Sequence, residues 1–489
     1  MRTQLRRLTG DSAIYGISTV LGRFLNFLLV PFYTNVFVAA DYGIVTVVYT
    51  VVAFLNVVYA LGLEQAYMRF TEGHPDYDRR DIFSTPLWTI AGAGLVFSGV
   101  VILLAAPIAS ALDIPPAWEI IVPLAAATLF VDAINVIPFA ALRMRHKPAR
   151  FAVIRFTSIA LNVGLNLWFV LGFGMSIVSV FSAGLIASLA STLMLAPDIL
   201  RDLAPRWRAH VLEPMMRLGL PTLPAGLALM VVQVLDRLLM QMLVDTRTAG
   251  IYGANYRLGI LMMLFVTMFQ FAWQPFSLQQ SSKPGSERLF ARVLTYFTLV
   301  AVFVWLLLSL TIDDLATVPL WHGRALLGRE YWEGLSIVPV VLAGYIFTGV
   351  SVIVNAGLLI RKRTGAMAVV TAVGAGVNVV SNLLLIPRLG MMGGAISTLA
   401  AYAVMALLYW QQTRTIHPVP YEGMRLVRII LAGAVPAAIW MLVPAPDAVP
   451  ELLWEALLVV LYPVLLVGMR FFLPGERAEV ARLLRLIRR

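Results

Sequence analysis

The sequence predicts an all-α polytopic membrane protein of about fourteen transmembrane helices, built as two pseudo-symmetric six-helix lobes plus two C-terminal helices. Three observations predict it. Of 489 residues 60% are hydrophobic and only 13% charged, whereas about 25% of a typical soluble domain is charged. Apolar runs long enough to cross a bilayer, about 20 residues each, follow one another along the chain. The chain also repeats itself at nearly half its length.

Taken in order, hydropathy predicts helices at roughly 13 to 37, 43 to 67, 86 to 111, 118 to 142, 151 to 172, 175 to 197, 219 to 244, 250 to 274, 290 to 311, 334 to 359, 365 to 386, 392 to 412, 426 to 443 and 451 to 473. Basic residues sort onto alternate loops. One set holds Arg2, Arg6 and Arg7, then Arg69, Arg79 and Arg80, then Arg143, Arg145, Lys147 and Arg150, and later Arg361, Lys362 and Arg363. Intervening loops such as VAADYG, DIPPAW and RLGMMGG carry few. Because basic loops stay inside, both termini are expected in the cytoplasm, which requires an even number of spans. The basic N-terminus precedes a run too long for a signal peptide and lacking a small-residue cleavage pattern, so that run is expected to remain as an anchor.

The repeat is gapless over its clearest stretch. RHKPARFAVIRFTSIALNVGLNLWFVLGFGM, starting at Arg145, aligns on RKRTGAMAVVTAVGAGVNVVSNLLLIPRLGM, starting at Arg361, and places Asn162 and Asn166 on Asn378 and Asn382. Tyr42-Gly43 likewise matches Tyr252-Gly253. Helices 1 to 6 thus correspond to helices 7 to 12, and an even number of helices per repeat makes the repeats parallel. The expected organisation is an N-lobe over 1–200, a cytoplasmic linker over 201–218, a C-lobe over 219–415, two further helices over 416–473, and a tail over 474–489. The tail carries Val480, Leu483, Leu484 and Ile487 on one helical face and Arg482, Arg485, Arg488 and Arg489 around the other. It reads as a basic amphipathic helix on membrane lipids or as a solvated basic tail.

Several function classes drop out. The formal charge of +11 sits in loops, so no nucleic-acid partner is expected. The absence of Cys excludes disulfides and thiolate chemistry, and the five His, at positions 74, 146, 210, 322 and 417, show no metal-ligand spacing. Neither a metal nor a cofactor is expected. There is no GxxxxGK[ST] phosphate loop to support direct driving by ATP. The longest outer loop, 312 to 333, has polar residues without a recognisable catalytic arrangement, so the chain is not expected to be an enzyme.

Candidate functional residues are the ionisable groups inside apolar runs. An Arg near the bilayer centre costs about 2.5 to 3.5 kcal/mol on insertion scales, so such residues face protein or a water-filled cavity. Arg23 lies near the middle of the first run, and Tyr15, Thr19, Arg23 and Asn26 share one face at helical spacing. The stripe reads as the wall of a cavity that accepts an anion, or as an Arg paired with a carboxylate on a neighbouring helix. Arg237 and Arg257 lie at similar depths and extend the positive lining. Asp236 adjoins Arg237, but adjacent helical residues point about 100° apart, which favours a pair with Arg257 or Arg23. Glu64 and Arg69 read as a cytoplasmic gate pair or as an ordinary interfacial ion pair. Asp132 is an isolated intramembrane acid suited to proton or cation coupling. The paired Asn residues serve sugar hydroxyls or simply join helices. Trp273 and Gln274 are expected where helix 8 ends at Pro275, with Trp273 in the aromatic belt.

Local patterns resemble those of a known superfamily. They are GRFLNFLLVPFYTNVFVAADYGIVTVVYT and GLEQAYMRF at helices 1 and 2, LGLPTLPAGLALMVVQVLDRLLMQMLVDTRTAGIYGANYRL at helix 7 and its exit, FQFAWQPF after helix 8, and LGMMGGAISTLAAY at helix 12. Their order is similar to that of the Wzx-type polysaccharide and O-antigen flippases of the multidrug/oligosaccharidyl-lipid/polysaccharide exporter superfamily. The resemblance implies a MATE-like pair of lobes in the bacterial inner membrane. It further implies alternating access that moves an undecaprenyl-diphosphate-linked oligosaccharide to the outer leaflet. Arg23 is then expected to contact the diphosphate, the acids Asp132, Asp236 and Glu64 motivate H+ or Na+ as the coupling ion, and other polysaccharide-assembly membrane proteins are expected partners. A peptidoglycan lipid-precursor flippase and a cation-coupled multidrug antiporter of the same superfamily are the alternatives.

Overall fold

A computed structural model describes residues 16, 20–73, 77–281, 283–320, 323–446, 450–474 and 476. Tyr15, Thr19 and the amphipathic face assigned to the tail lie outside the described residues. The all-helical class holds. Thirteen helices among the described residues are long and apolar enough to cross a membrane. The first expected span is described only at Gly16 and over the shorter α1, Val20–Val36. There α1 makes a turn at Leu28, three residues before Pro31, which has no N–H to donate and crowds the preceding turn.

The chain forms two compact units. The first comprises Met1–Ile260, Leu327–Ile337 and Ala368–Val404. It contains α2 (Ala39–Ala60), α3 (Leu63–Gly73), α4 (Arg79–Leu103), α5 (Ile121–Met144), α6 (Pro148–Leu167), α7 (Val178–Asp202), α8 (Ala209–Gly219), α9 (Leu223–Leu243) and α10 (Thr246–Leu258). Its core joins Tyr59 of α2, Leu63 and Tyr67 of α3, Phe83 and Ile90 of α4, Leu129 and Ile137 of α5, and Val211 and Met215 of α8. The stretch expected as a linker is therefore partly a packed helix. It runs through a 3-10 turn at Leu220–Thr222 into α9 as one apolar segment, Ala209–Leu243. Pro221 and Pro224 permit this because each sits in the first turn of its element, where its missing N–H has no partner to lose.

The repeated Tyr-Gly sites lie in this unit on facing helices, Gly43 against Thr246 and Gly253 against Thr46. A Cβ on Gly43 of α2 would run into the Thr246 carbonyl oxygen, and one on Gly250 of α10 into that of Ala39. The two backbones approach through hydrogen-only side chains, the device by which membrane helices gain packing where lipid supplies no hydrophobic drive. The segment Leu327–Ile337 closes over the same helices. Asn255 donates to the Tyr331 carbonyl (2.8 Å), Tyr331 to the Phe37 carbonyl (2.9 Å), and Arg247 pairs with Glu330 and Glu333.

The second unit comprises Leu261–Leu326, Val338–Met367 and Met405–Arg489. The span expected at 250 to 274 is divided at Gly259: α10 ends and α11, Ile260–Gln280, begins. Pro275 does not end α11, which continues five residues past it. Proline is tolerated inside membrane helices where neighbours satisfy the freed carbonyl. This unit also holds α12 (Ser286–Leu310), α13 (Val338–Val354), α16 (Gly423–Leu442) and α17 (Glu451–Gly468), whereas α14 (Thr364–Leu389) and α15 (Met391–Ile416) belong for the most part to the first unit, over Ala368–Val404. Val302, Leu306 and Leu310 of α12 pack with Ile429 and Ala432 of α16 and with Leu458, Tyr462 and Leu466 of α17. Trp273 is also buried, 3% exposed, edge-on to Phe290 at 5.0 Å, so it packs inside the protein and not in an aromatic belt.

Candidate functional site

The first unit carries two clusters of polar and charged side chains. One is centred on Asp236 of α9, which is 1% exposed. Its Oδ2 accepts from the Tyr252 hydroxyl of α10 (2.6 Å) and from Thr398 Oγ1 of α15 (3.3 Å). Its Oδ1 accepts from Arg237 Nη1 (3.0 Å). The expected pairing with Arg257 or Arg23 is thus replaced by the local one. The Arg237 side chain is long enough to fold back along its own helix, where Nη1 also donates to the Gln233 carbonyl (2.6 Å). Its guanidinium then lies 4.2 Å over the ring of Tyr256, a cation–π contact. Arg257, one residue further along α10, lies 5.4 Å over the buried ring of Tyr42, and its charge also acts on Tyr33 and Tyr49.

On α14 the side chains of Asn378 and Asn382 are fully buried, and Asn382 Nδ2 donates to Asn378 Oδ1 (2.9 Å), leaving Asn378 Nδ2 and Asn382 Oδ1 without a hydrogen-bond partner among the described residues. The matching pair on α6 is tied to α1. Asn166 accepts from the Tyr33 hydroxyl (2.8 Å) and donates to the Asn162 carbonyl (2.9 Å).

The second cluster lies among α3, α5, α6 and α7. Glu64 pairs with Arg143 of α5, not with Arg69. Arg143 occupies the last turn of α5, which brings its guanidinium across to α3, the helix its own helix packs on. Deeper along α5, Asp132 Oδ1 accepts from Ser188 of α7 (2.6 Å), and Asn135 accepts from Thr192 (3.0 Å). Arg155 of α6 stacks over Phe139 of α5 at 4.1 Å. Sequence reasoning passed over Arg155, although the signal was there: it interrupts the apolar run FAVIRFTSIAL as Arg23 interrupts its own. What hid it was the basic loop just before it, which made one more Arg look like part of a cytoplasmic cluster.

Arg23 and Asn26 lie on an exposed face of α1. Ten residues, about 15 Å of helix, separate Arg23 from Tyr33, the α1 residue on which the charge of Arg257 acts. The structure thus brings together Asp236, Arg237 and the tyrosines of α10, and separately Glu64 with Arg143, while Asp132 lies deeper along α5 with Ser188.

Comparison with known proteins extends this picture. A family described as "Polysaccharide biosynthesis protein" matches residues 36–320, more than half of the chain. No curated protein sequence matches. Among solved structures, an inward closed conformation of the lipid II flippase MurJ superposes with a TM-score of 0.71 at 14% identity, covering 94% of this chain and 99% of that one. An inward-facing multidrug resistance MATE family transporter of the MOP superfamily gives 0.65 at 14% identity, covering 84% and 96%. An outward-facing MATE transporter gives 0.56 at 13%, covering 86% and 97%. At such identities the likeness is one of fold. The chain shares the fold of these proteins over most of its length, and by the family model that matches more than half of it, it belongs to the polysaccharide biosynthesis protein family.

Proposed function

We propose that the chain is a flippase that moves an undecaprenyl-diphosphate-linked oligosaccharide, a polysaccharide or O-antigen repeat unit, from the inner to the outer leaflet of the bacterial cytoplasmic membrane. The observation that carries this reading is a set of arginines within or beside apolar helices, Arg23, Arg155, Arg237 and Arg257, in a chain of a polysaccharide biosynthesis family. A diphosphate must have its charge shielded while it crosses a low-dielectric slab. Arg offers permanent charge and a fork of donors that fits phosphate oxygens. A carrier of organic cations would gain nothing from permanent positive charges in those places.

In this reading two parallel six-helix lobes, 1–200 and 219–415, joined by 201–218, alternate between inward-open and outward-open states, with 416–473 added at the C-terminal side. Both termini are cytoplasmic. Arg23 and Asn26, with Tyr15 and Thr19, line the headgroup path on α1, and Arg237 and Arg257 line it on α9 and α10. Glu64 acts at the cytoplasmic gate, here with Arg143 as the partner that the geometry offers. Asp132 and Asp236 are the candidates for coupling to H+ or Na+, and Arg69 remains an interfacial cation. Other polysaccharide-assembly membrane proteins are expected partners. A peptidoglycan lipid-precursor flippase is the second reading, favoured by the TM-score of 0.71 to a lipid II flippase.

The test is reconstitution in liposomes, with a fluorescent undecaprenyl-diphosphate oligosaccharide followed between leaflets by access of a membrane-impermeant quencher. Movement that requires the protein supports the proposal, and preference for a lipid-linked peptidoglycan precursor shifts it to the second reading. Transport unaffected by collapsing both proton and sodium gradients removes the coupling roles of Asp132 and Asp236.

A further inference from the structure

α6 carries Arg155 seven residues beyond Pro148, about 10 Å along the helix axis. Its guanidinium rests on Phe139 at 4.1 Å and lies 5.8 Å from the ring of Phe151. The nearby arginines Arg143, Arg145 and Arg150 pair with Glu64, Asp202 and Asp198, whereas Arg155 has no carboxylate within ion-pair distance among the described residues. Of the charges that act on Arg155, that of Asp132 is the largest, followed by those of Arg143 and Glu64. Asp132 lies eleven residues before Arg143 on α5, about 16 Å deeper. It accepts a hydrogen bond from Ser188 of α7 at 2.6 Å, and its charge also acts on Tyr49 of α2.

Arg155 is exposed on an otherwise apolar stretch of α6, an unusual setting for a cation. The ring face below leaves the in-plane N–H donors of the guanidinium unspent, and those donors are what a diphosphate takes two at a time. The compensating carboxylate stands near enough to offset the charge and too far to occupy the donors. A bound diphosphate would lie between Arg155 and a second anion.

We propose that Arg155 is a ligand for the diphosphate of the lipid-linked substrate and that Asp132 is its resident counter-ion, competing with that diphosphate for the same guanidinium. The inference rests on the flippase reading above and adds a site to it. In the empty state Asp132 offsets the Arg155 charge in a medium where an uncompensated ion is costly. In the loaded state Asp132 repels the headgroup, so the site binds well enough to capture and weakly enough to release. By linkage, protonating Asp132 tightens diphosphate binding. Glu64 and Arg143, which pair with each other, carry opposite charges that offset at Arg155.

The experiment measures binding of farnesyl diphosphate to the purified full chain in detergent across pH, with farnesyl monophosphate and farnesol as controls. Wild type is compared with Asp132→Asn, Arg155→Gln, Arg155→Lys and the double variant Asp132→Asn/Arg155→Gln, each checked for monodispersity by gel filtration. Arg155→Gln is expected to weaken binding about tenfold and Arg155→Lys less, whereas Asp132→Asn tightens it several-fold. Asp132→Asn also loses the part of the pH dependence that wild type does not share with the free ligand. Asp132→Asn is nearly isosteric, so the proposal stays testable even where Arg155→Gln fails to fold. Unchanged binding by Arg155→Gln, or weaker binding by Asp132→Asn, overturns the proposal. If wild type meanwhile moves the labelled lipid-linked oligosaccharide in liposomes, the flippase reading stands without it. Wild type that neither binds farnesyl diphosphate nor transports overturns both.

Discussion

Tyr252 donates a 2.6 Å hydrogen bond to Asp236, the same carboxylate that holds Arg237 at 3.0 Å. One buried acid therefore ties α9 to α10 through a hydroxyl and fixes a cation on its own helix. Removing the acid strands both partners. Asp236→Ala is expected to destabilise the protein by about 3 to 5 kcal/mol, the cost of breaking a buried pair from one side. Asp236→Ala combined with Arg237→Met should recover part of that loss. Thermal unfolding in detergent measures it, and a double variant no better than Asp236→Ala would mean that Arg237 is not the dependent partner.

The close approach of α2 and α10 predicts a sharp difference between glycines. Gly250→Ala places a methyl group against the Ala39 carbonyl, whereas nothing lies within 4 Å of a Cβ at Gly92. Overpacking costs about 1 to 3 kcal/mol, so Gly250→Ala should lower the melting temperature while Gly92→Ala leaves it unchanged or raises it. Equal effects would refute the contact.

Glu64 and Arg143 are 37% and 35% exposed, so their pair is expected to be worth only about 0.2 to 1 kcal/mol in stability. Its signature should be coupling. In double-variant cycles on transport rate, Glu64→Gln and Arg143→Gln should be non-additive, whereas Glu64→Gln and Arg69→Gln should add. The reverse pattern would restore the pairing expected from sequence.

Glu476 gives a pH dependence with a defined sign. Burial opposes its charge, but the Tyr296 hydroxyl, the Leu473 N–H and Arg425 together hold its carboxyl below the usual glutamate value of 4.5. A depressed folded-state pKa contributes stability that is fully present above that value and is lost as pH falls through the folded one. The stability gap between wild type and Glu476→Gln should therefore be widest near neutrality and shrink in acid. Asp313 has the opposite sign: burial, Asp314 and Glu451 push its carboxyl up, so Asp313→Asn should gain most at neutral pH. A gap at Glu476 that widens in acid would contradict the assignment.

Much of the fold was legible because a bilayer imposes length and polarity on every helix, and the order of apolar runs survives in Ala39 to Gly468. The Tyr-Gly sites that the sequence repeat singled out prove to be contact points, Gly43 and Gly253 both lying in the packed face between α2 and α10. What sequence could not rank was partner choice. Angular spacing sent Asp236 away from Arg237, yet a long flexible arginine reaches its neighbour by folding along the helix. Spacing along one helix joined Glu64 to Arg69, while the partner came from α5. Pro275 looked like a stop because helix rules are written for water, where the freed carbonyl has no neighbouring helix to satisfy it.

Leaflet-to-leaflet movement of a labelled undecaprenyl-diphosphate oligosaccharide in liposomes, for wild type and for Arg23→Ala, Arg23→Lys and Arg23→Gln, tests the central claim most directly. Anion recognition predicts that folded Arg23→Ala and Arg23→Gln lose transport at least about tenfold while Arg23→Lys, which keeps the charge but not the fork, retains part of it. Wild type that leaves this lipid in place but carries a cationic dye, or an Arg23→Ala that transports at the full rate, would contradict it.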